Sequence, residues 1–441
     1  MKYKGLGLLA VVGTILVLAG CGGSKQPESQ SKQLLQVQKR RLTHTKVKQV
    51  ADNVHVLVPR TAKKQNLVQA QTYKAAALSA MKKVKGDAQS KAAYVTFSGE
   101  PTYRNFWRLT PTVRVYQRQK GDTKQVKQQK LAGINVDMRS GKTVTAASLM
   151  TGVQQLRAVN YHALAQAVAH KHYTPIQLQE ARAMVFLNSM QAQNFKLAAD
   201  SLTIYPTANK LNIKSVQLPM TTIAGYLNKL NKVHEPTFGN KKVVALTFDD
   251  GPNVKTTPTV LKTLKQEHVK ATFFMVGYEV KANPQLARTV VKDGHEVGTH
   301  TFDHKNLAFL NPAAALAEVN TAENAMYNAL GTLPTMLRPP YGAVNATHDS
   351  SIPLPSVQWA VDSQDWRVHA PAPIVSRINA TVYPGSIILM HDIHPQSVAA
   401  LPNVIKTLKA KGYTFVTVNQ LLGKYLLPGE QYFGAGNHRP I

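Results

Sequence analysis

From residue 243 onward, short apolar or β-branched runs alternate with longer segments that have helix-forming patterns. The runs at 243–248, 271–276, 356–361, 386–390 and 415–418, with an isolated apolar point at Leu337, read as buried strands. Between them, 257–267, 284–293, 312–330, 374–383 and 401–411 read as helices. Strands that alternate with helices predict a parallel sheet in an α/β unit. Upstream the pattern changes. Segments 94–97 and 112–116 alternate as half-buried strands do, and 133–137 leads into a Ser140-Gly141-Lys142 turn. Helices are predicted over 153–170 and 175–188 and a strand over 202–206, while 53–58 reads as a short strand and 69–84 as helix-forming. His234-Glu235-Pro236-Thr237-Phe238-Gly239-Asn240 marks the expected border between the two regimes.

The first twenty residues belong to neither. Lys2 and Lys4 precede an apolar stretch from Leu6 to Leu18, which ends in Leu18-Ala19-Gly20-Cys21. The stretch is short for a membrane span, which takes about 20 apolar residues. It resembles a bacterial lipoprotein signal, which implies removal of 1–20 and lipidation of Cys21. Cys21 is the single cysteine of 441 residues, so no intramolecular disulfide is possible. Gly22-Gly23-Ser24 and the polar run to Gln38 read as a tether. The expected organisation is therefore a signal at 1–20, lipidated Cys21 with a basic tether or small subdomain to 90, an α+β extracytoplasmic domain at 91–233 and a catalytic domain at 241–428.

The formal net charge of +30 is unevenly placed. Residues 1–239 hold 35 Lys+Arg against 9 Asp+Glu, or +26, which leaves 53 − 35 = 18 against 23 − 9 = 14, or +4, for 240–441. On an exported chain such a basic half points to anionic wall polymers or lipid headgroups, with a merely solubilising surface as the alternative. Export and the absence of a nucleic-acid motif argue against nucleic acid as a partner.

The chemistry concentrates in the second half. Thr247-Phe248-Asp249-Asp250-Gly251-Pro252 places two carboxylates at the end of a predicted buried strand. His300-Thr301-Phe302-Asp303-His304 places two imidazoles four residues apart, just after a glycine-containing turn. One carboxylate and two histidines form a metal-ligand set with positions left open, and the other carboxylate is free to act as a base. Either half alone is more often a turn or a solvated helix end.

Together they resemble the first two motifs of the polysaccharide deacetylase family (the NodB-homology domain of carbohydrate esterase family 4). Arg338-Pro339-Pro340-Tyr341-Gly342, Asp362-Ser363-Gln364-Asp365-Trp366 and Leu389-Met390-His391-Asp392 resemble the remaining three, in the same order. The resemblance runs from about Lys241 to Leu427. It implies a distorted, seven-stranded (β/α) barrel with its chemistry at the C-terminal ends of the strands. It also implies Asp250, His300 and His304 as ligands of a divalent metal, zinc first and cobalt or nickel next. Asp249 is then the general base, Arg338 its partner, and His391 the general acid paired with Asp365. The backbone N–H of Tyr341 is the oxyanion donor. Trp366 and Leu389 wall a pocket for the acetyl methyl, with plain core packing as the competing reading of both. His295, Asp303, His348, His369 and His394 are expected at the surface or behind the site, and Asp392 is read at most as orienting a site residue.

The implied activity is removal of N-acetyl groups from N-acetylglucosamine in cell-wall peptidoglycan, by an enzyme lipid-anchored to the outer face of the membrane. Another polymer (poly-N-acetylglucosamine, muramic acid or a chitin oligomer) is the alternative within the enzyme class. A non-catalytic wall-binding lipoprotein is the alternative outside it.

Overall fold

The computed structural model describes Leu34 and residues 44–119, 122–231, 235–348 and 351–441. The signal segment, Cys21 and most of the tether lie outside the described residues. The chain divides into two compact units, residues 1–99 with 110–131, and residues 100–109 with 132–441.

In the first unit a sheet has the order β1 (Thr45–Ala51), β2 (Val54–Pro59), β3 (Lys91–Tyr103), β4 (Phe106–Gln119) and β5 (Asp122–Lys130). The β2–β3 pair is parallel, whereas β1–β2 and β4–β5 are antiparallel. Val54, Val56, Leu57 and Val58 of β2 and Ala93, Tyr94 and Val95 of β3 are fully buried, so the apolar runs of the sequence are its core. β5 is exposed along most of its length and rich in Lys and Gln. An edge strand of that composition resists further pairing, and it leaves no hydrophobic alternation to detect.

The second unit begins where Phe106–Leu109 of β4 pair with β6 (Ile134–Asp137). Two helices, Val153–Val168 and Pro175–Arg182, pack beside an antiparallel sheet of β7 (Phe195–Leu197), β8 (Ser201–Ile204) and β9 (Val216–Pro219). The helix expected over 175–188 stops at Arg182. Asn160 takes both backbone groups of Leu187, at 2.8 and 3.0 Å, and Val185 bridges Thr207, so that stretch is held extended.

The parallel strands follow. They are β10 (Lys242–Asp249), β11 (Thr272–Met275), β12 (Glu296–Thr299), β13 (Ser356–Val357), β14 (Val361–Asp362), β15 (Ile387–His391) and β16 (Tyr413–Val416). β10 pairs β11, β11 pairs β12, and single parallel bridges carry the ring from Thr299 through Leu337 to Ser356. A few residues on, β14 pairs β15, and β15 returns to β10, which also carries β16. With Leu337 as one position and 356–362 as one broken strand, the ring has six positions, and β16 beside β10 is the seventh strand of the distorted barrel that the resemblance implied. A hairpin of β17 (Glu430–Gly434) and β18 (Asn437–Pro440) joins it at β13, so the sheet continues past the expected limit of 428.

The border expected at 234–240 does not separate two cores. The Pro312–Leu330 helix of the barrel sends Ala315, Val319 and Tyr327 into the core built from residues 144–227, and Met326 and Ala329 into the barrel core. Polar ties reinforce the seam: Glu323, 1% exposed, accepts from Tyr161 Oη at 2.6 Å and from Arg182 Nη2 at 2.9 Å. Burial raises the Glu323 carboxyl above its usual range, and Arg182 pulls against that shift. Removing the cation alone therefore strands a buried acid. We expect Arg182→Leu to cost on the order of 3 kcal/mol in denaturant unfolding. Arg182→Leu with Glu323→Leu should recover most of the loss.

Candidate metal centre and active site

Parallel register sets the site. Asp249 lies opposite His391 across β10–β15, and His300 follows directly on the last residue of β12. The Thr299–Leu337 bridge brings Arg338 to the same rim. Residues far apart in sequence thus meet where adjacent strands end.

Three of them form a ligand cluster. One ligand atom each from Asp250, His300 and His304 lies within 4.8 Å of the others. Asp250 Oδ1 is 3.5 Å from His300 Nε2 and 3.3 Å from His304 Nε2. Ligands roughly 2.1 Å from a tetrahedral ion stand about 3.4 Å apart, so the spacing fits. His300 Nδ1 donates to the Arg338 carbonyl at 2.6 Å, which leaves the Nε2 lone pair for a ligand role. Burial, and then the neighbouring His300, lower the His304 pKa and favour its neutral imidazole. Asp250 Oδ1 is buried with no hydrogen-bond partner, an unmet acceptor of the kind a cation satisfies. The residues present fit a divalent metal. Asp250, His304 and Tyr341 all have positive φ, at 76°, 55° and 61°. Such backbone is costly for side chains other than glycine and gathers at functional sites.

Asp249, 2% exposed, is held rather than merely placed. Its Oδ1 accepts from Arg338 Nη1 at 2.8 Å, and its Oδ2 is 3.8 Å from His300 Nε2. Beside the same cluster, His391 Nε2 is 4.0 Å from Asp250 Oδ2. His391 Nδ1 donates to Asp365 Oδ1 at 2.7 Å, and its backbone N–H donates to Asp365 Oδ2 at 2.8 Å. Ser397 Oγ donates to the same carboxylate at 2.5 Å. Burial alone would lower His391. The Asp365 hydrogen bond and charge, followed by the charges of Asp249 and Asp250, lift it to about 9.

The structure brings together the residues that the sequence assigned to catalysis and metal, and it gives the two pocket residues different exposure. Trp366 is 53% exposed beside Asp365, whereas Leu389 is buried inside β15. Tyr341 stacks its exposed ring edge-on against His304 at 4.8 Å. Sequence reasoning missed three supports. Thr247 Oγ1 accepts from Arg338 at 2.7 Å. Glu318 accepts the Asp303 N–H at 3.0 Å and the Lys305 ammonium at 2.6 Å, and so clamps the loop that carries His304. Asp392 is wholly buried, bonded by Thr257 Oγ1 at 2.5 Å, and pushed up to about 7 by burial. It packs so close to Gly251 that a Cβ there would lie 2.4 Å from its carboxylate oxygens. Asp392 adjoins His391 and Thr247 opens the motif that carries Asp249, both visible signals, whereas nothing in the sequence linked Glu318 to the site.

Residues 238–352 match the family model described as polysaccharide deacetylase. A Bacillus cereus peptidoglycan-N-acetylglucosamine deacetylase is 39% identical over 189 residues, which are 41% of this chain and 68% of that protein. The chain belongs to the polysaccharide deacetylase family. The Listeria monocytogenes peptidoglycan-N-acetylglucosamine deacetylase PgdA is 38% identical over 237 residues, or 54% of this chain and 51% of that protein. The Bacillus subtilis peptidoglycan-N-acetylmuramic acid deacetylase PdaC is 40% identical over 182 residues, or 41% and 39%. The match thus spans about half the length of PgdA and less of PdaC.

Two measurements follow for this deacetylase-family chain. Asp250→Ala or His304→Ala should weaken zinc binding at least about 100-fold by calorimetry, an upper-range loss because a ligand itself is removed. In the metal-free chain, His391 should titrate near pH 9 by NMR, and Asp365→Asn should lower it, since the strongest groups that raise it are then gone while burial remains. The sign is that of a raised histidine. The His391–Asp365 pair stabilises the fold fully below pH about 6.5, and that contribution is lost as pH rises through about 9.

Proposed function

We propose that this chain is a metal-dependent N-deacetylase of cell-wall peptidoglycan, which hydrolyses the amide of N-acetylglucosamine to release acetate and leave a free amine. The observation that carries the reading is the three-part site: a buried, Arg-held Asp249, an Asp-His-His cluster and a protonated His391 within a few ångströms. A binding module has no use for a base and an acid poised beside the same ligand cluster.

Asp250, His300 and His304 would hold a divalent ion, zinc as the first choice, which would supply Lewis acidity toward water and the acetamide carbonyl. Asp249 takes a proton from the attacking water, and Arg338 keeps its carboxylate fixed in direction. The Tyr341 backbone N–H, on a loop stiffened by Pro339 and Pro340, is assigned to the developing oxyanion. His391, charged at neutral pH, donates its Nε2 proton to the departing nitrogen, so the amine leaves neutral. Exposed Trp366 offers an apolar wall beside that histidine.

The resemblance of residues 1–21 to a lipoprotein signal supports a location on the outer face of the membrane, with Cys21 as the anchor. The +26 of residues 1–239 supports electrostatic contact with anionic wall polymers. A second reading has its own support: PdaC, 40% identical, is named for N-acetylmuramic acid, so that sugar is the leading alternative substrate.

Acetate release from purified peptidoglycan and from chitin oligomers tests the proposal. We expect release that is lost on chelation, restored by zinc, and reduced about 10²- to 10⁴-fold by Asp249→Asn. Mass spectrometry of digested product assigns the deacetylated sugar. No release from any glycan by zinc-loaded protein would sink the enzymatic reading.

A further inference from the structure

Residues 132–231 hold none of the catalytic motifs, yet they carry a concave groove of about 730 Å³. It lies where the end of the Val153–Val168 helix meets β8 and β9. Its lining includes Gln166, Lys171, Tyr173, Asp200, Ser201 and Gln217.

Ser201 is the pivot of this lining. It is 4% exposed, and it joins two exposed neighbours: Gln217 Nε2 donates to Ser201 Oγ at 2.9 Å, and Ser201 Oγ donates to Asp200 Oδ1 at 2.9 Å. The β8–β9 register creates the contact, because Ser201 pairs with Pro219 and Thr203 with Gln217, which makes Ser201 and Gln217 diagonal neighbours. These bonds use one amide proton of Gln217 and one oxygen of Asp200. The second carboxylate oxygen, the Gln217 amide oxygen and its other proton stay uncommitted among the described residues, and they are fixed in direction by a buried hydroxyl.

That set has a specific chemistry. A carboxylate oxygen accepts from hydroxyls, a planar amide both donates and accepts, and Lys171 donates only. Asp200 and Lys171 balance in charge, so a polyanion gains little there. An apolar ligand would strand the polar groups. Half-buried Tyr173, with Ile213, Val216 and Ala167, offers surface for the C–H faces of a ring. A neutral molecule with adjacent hydroxyls and amides meets both demands.

We infer that this groove is a second saccharide-binding site, taking N-acetylated sugar units of a glycan. It rests on the deacetylase reading only for the identity of the sugar. A polymer held there is presented to the barrel of the same chain at raised effective concentration, a gain that a short oligomer cannot share.

Calorimetric titration of chitotetraose into the full chain bearing Asp249→Asn tests the inference. Two binding events are expected. Asp200→Ala with Gln217→Ala, both at exposed positions, should weaken one of them about tenfold or more. Gln166→Trp, which fills the groove from outside, should do the same if the double variant proves unstable by circular dichroism. In the Asp249-intact chain, the ratio of KM for insoluble peptidoglycan to KM for the tetramer should rise roughly tenfold with the groove variants. A single binding event that neither groove variant alters, with that ratio unchanged, overturns the inference. If no glycan yields acetate but a groove-dependent binding event persists, the groove stands and the deacetylase reading falls.

Discussion

One buried guanidinium ties the catalytic rim together. Arg338 is 0% exposed, and its side chain donates to Asp249 and Thr247 of β10 and to the carbonyls of Val357 and Gln358. Its backbone N–H bonds Thr299 at the end of β12, and its carbonyl receives His300 Nδ1. The cation rests 4.1 Å from the Phe274 ring centroid on β11. A single residue thus sets the base, orients a metal-ligand imidazole and spans the thinnest part of the barrel, where one bridge at Leu337 stands in for a strand. A buried ion pair of this kind adds little net stability, but it leaves each partner no alternative position. That fixity is what a base aimed at one water requires.

The second organising element is the Pro312–Leu330 helix. It carries Glu318, which holds the His304 loop, and Glu323, which is gripped by Tyr161 and Arg182 from the preceding lobe. The two acids are separated by five residues on one rigid rod. The lobe of residues 132–231 is therefore part of the body that supports the metal ligands, and its own groove is carried on that same body.

The two buried aspartates of the site owe their different roles to surroundings rather than to residue type. Asp249 ends β10, and Asp365 sits in the turn after β14. Asp365 is matched to an imidazole and a serine hydroxyl and drives His391 into its charged form. Asp249 is matched to the Arg338 guanidinium, which holds one carboxylate oxygen, while the other lies 3.8 Å from His300 Nε2. The parallel β10–β15 register then sets Asp249 opposite the His391 that Asp365 charges.

The sequence by itself determined the barrel half almost completely. Buried parallel strands are continuous apolar runs, and Asp249 and His391 follow such runs directly, whereas Asp250, His300, His304, Arg338 and Asp365 were visible through the motifs that carry the family resemblance. The Glu-Val-Gly-Thr strand β12 before His300 is not an apolar run and went unseen. It determined much less where one face or both faces of an element meet solvent. Exposed β5, the short strands β7 and β9 and the terminal hairpin β17–β18 left no periodic signal, and the helix expected to reach 188 was cut short by a side chain 27 residues upstream. Only the tertiary structure decided that residues 144–227 share a core with the Pro312–Leu330 helix of the barrel, and that Thr247 and Glu318 support the site. It also decided that Ser201 joins Asp200 to Gln217. Each of these depends on which elements lie side by side, and local residue patterns carry no record of that.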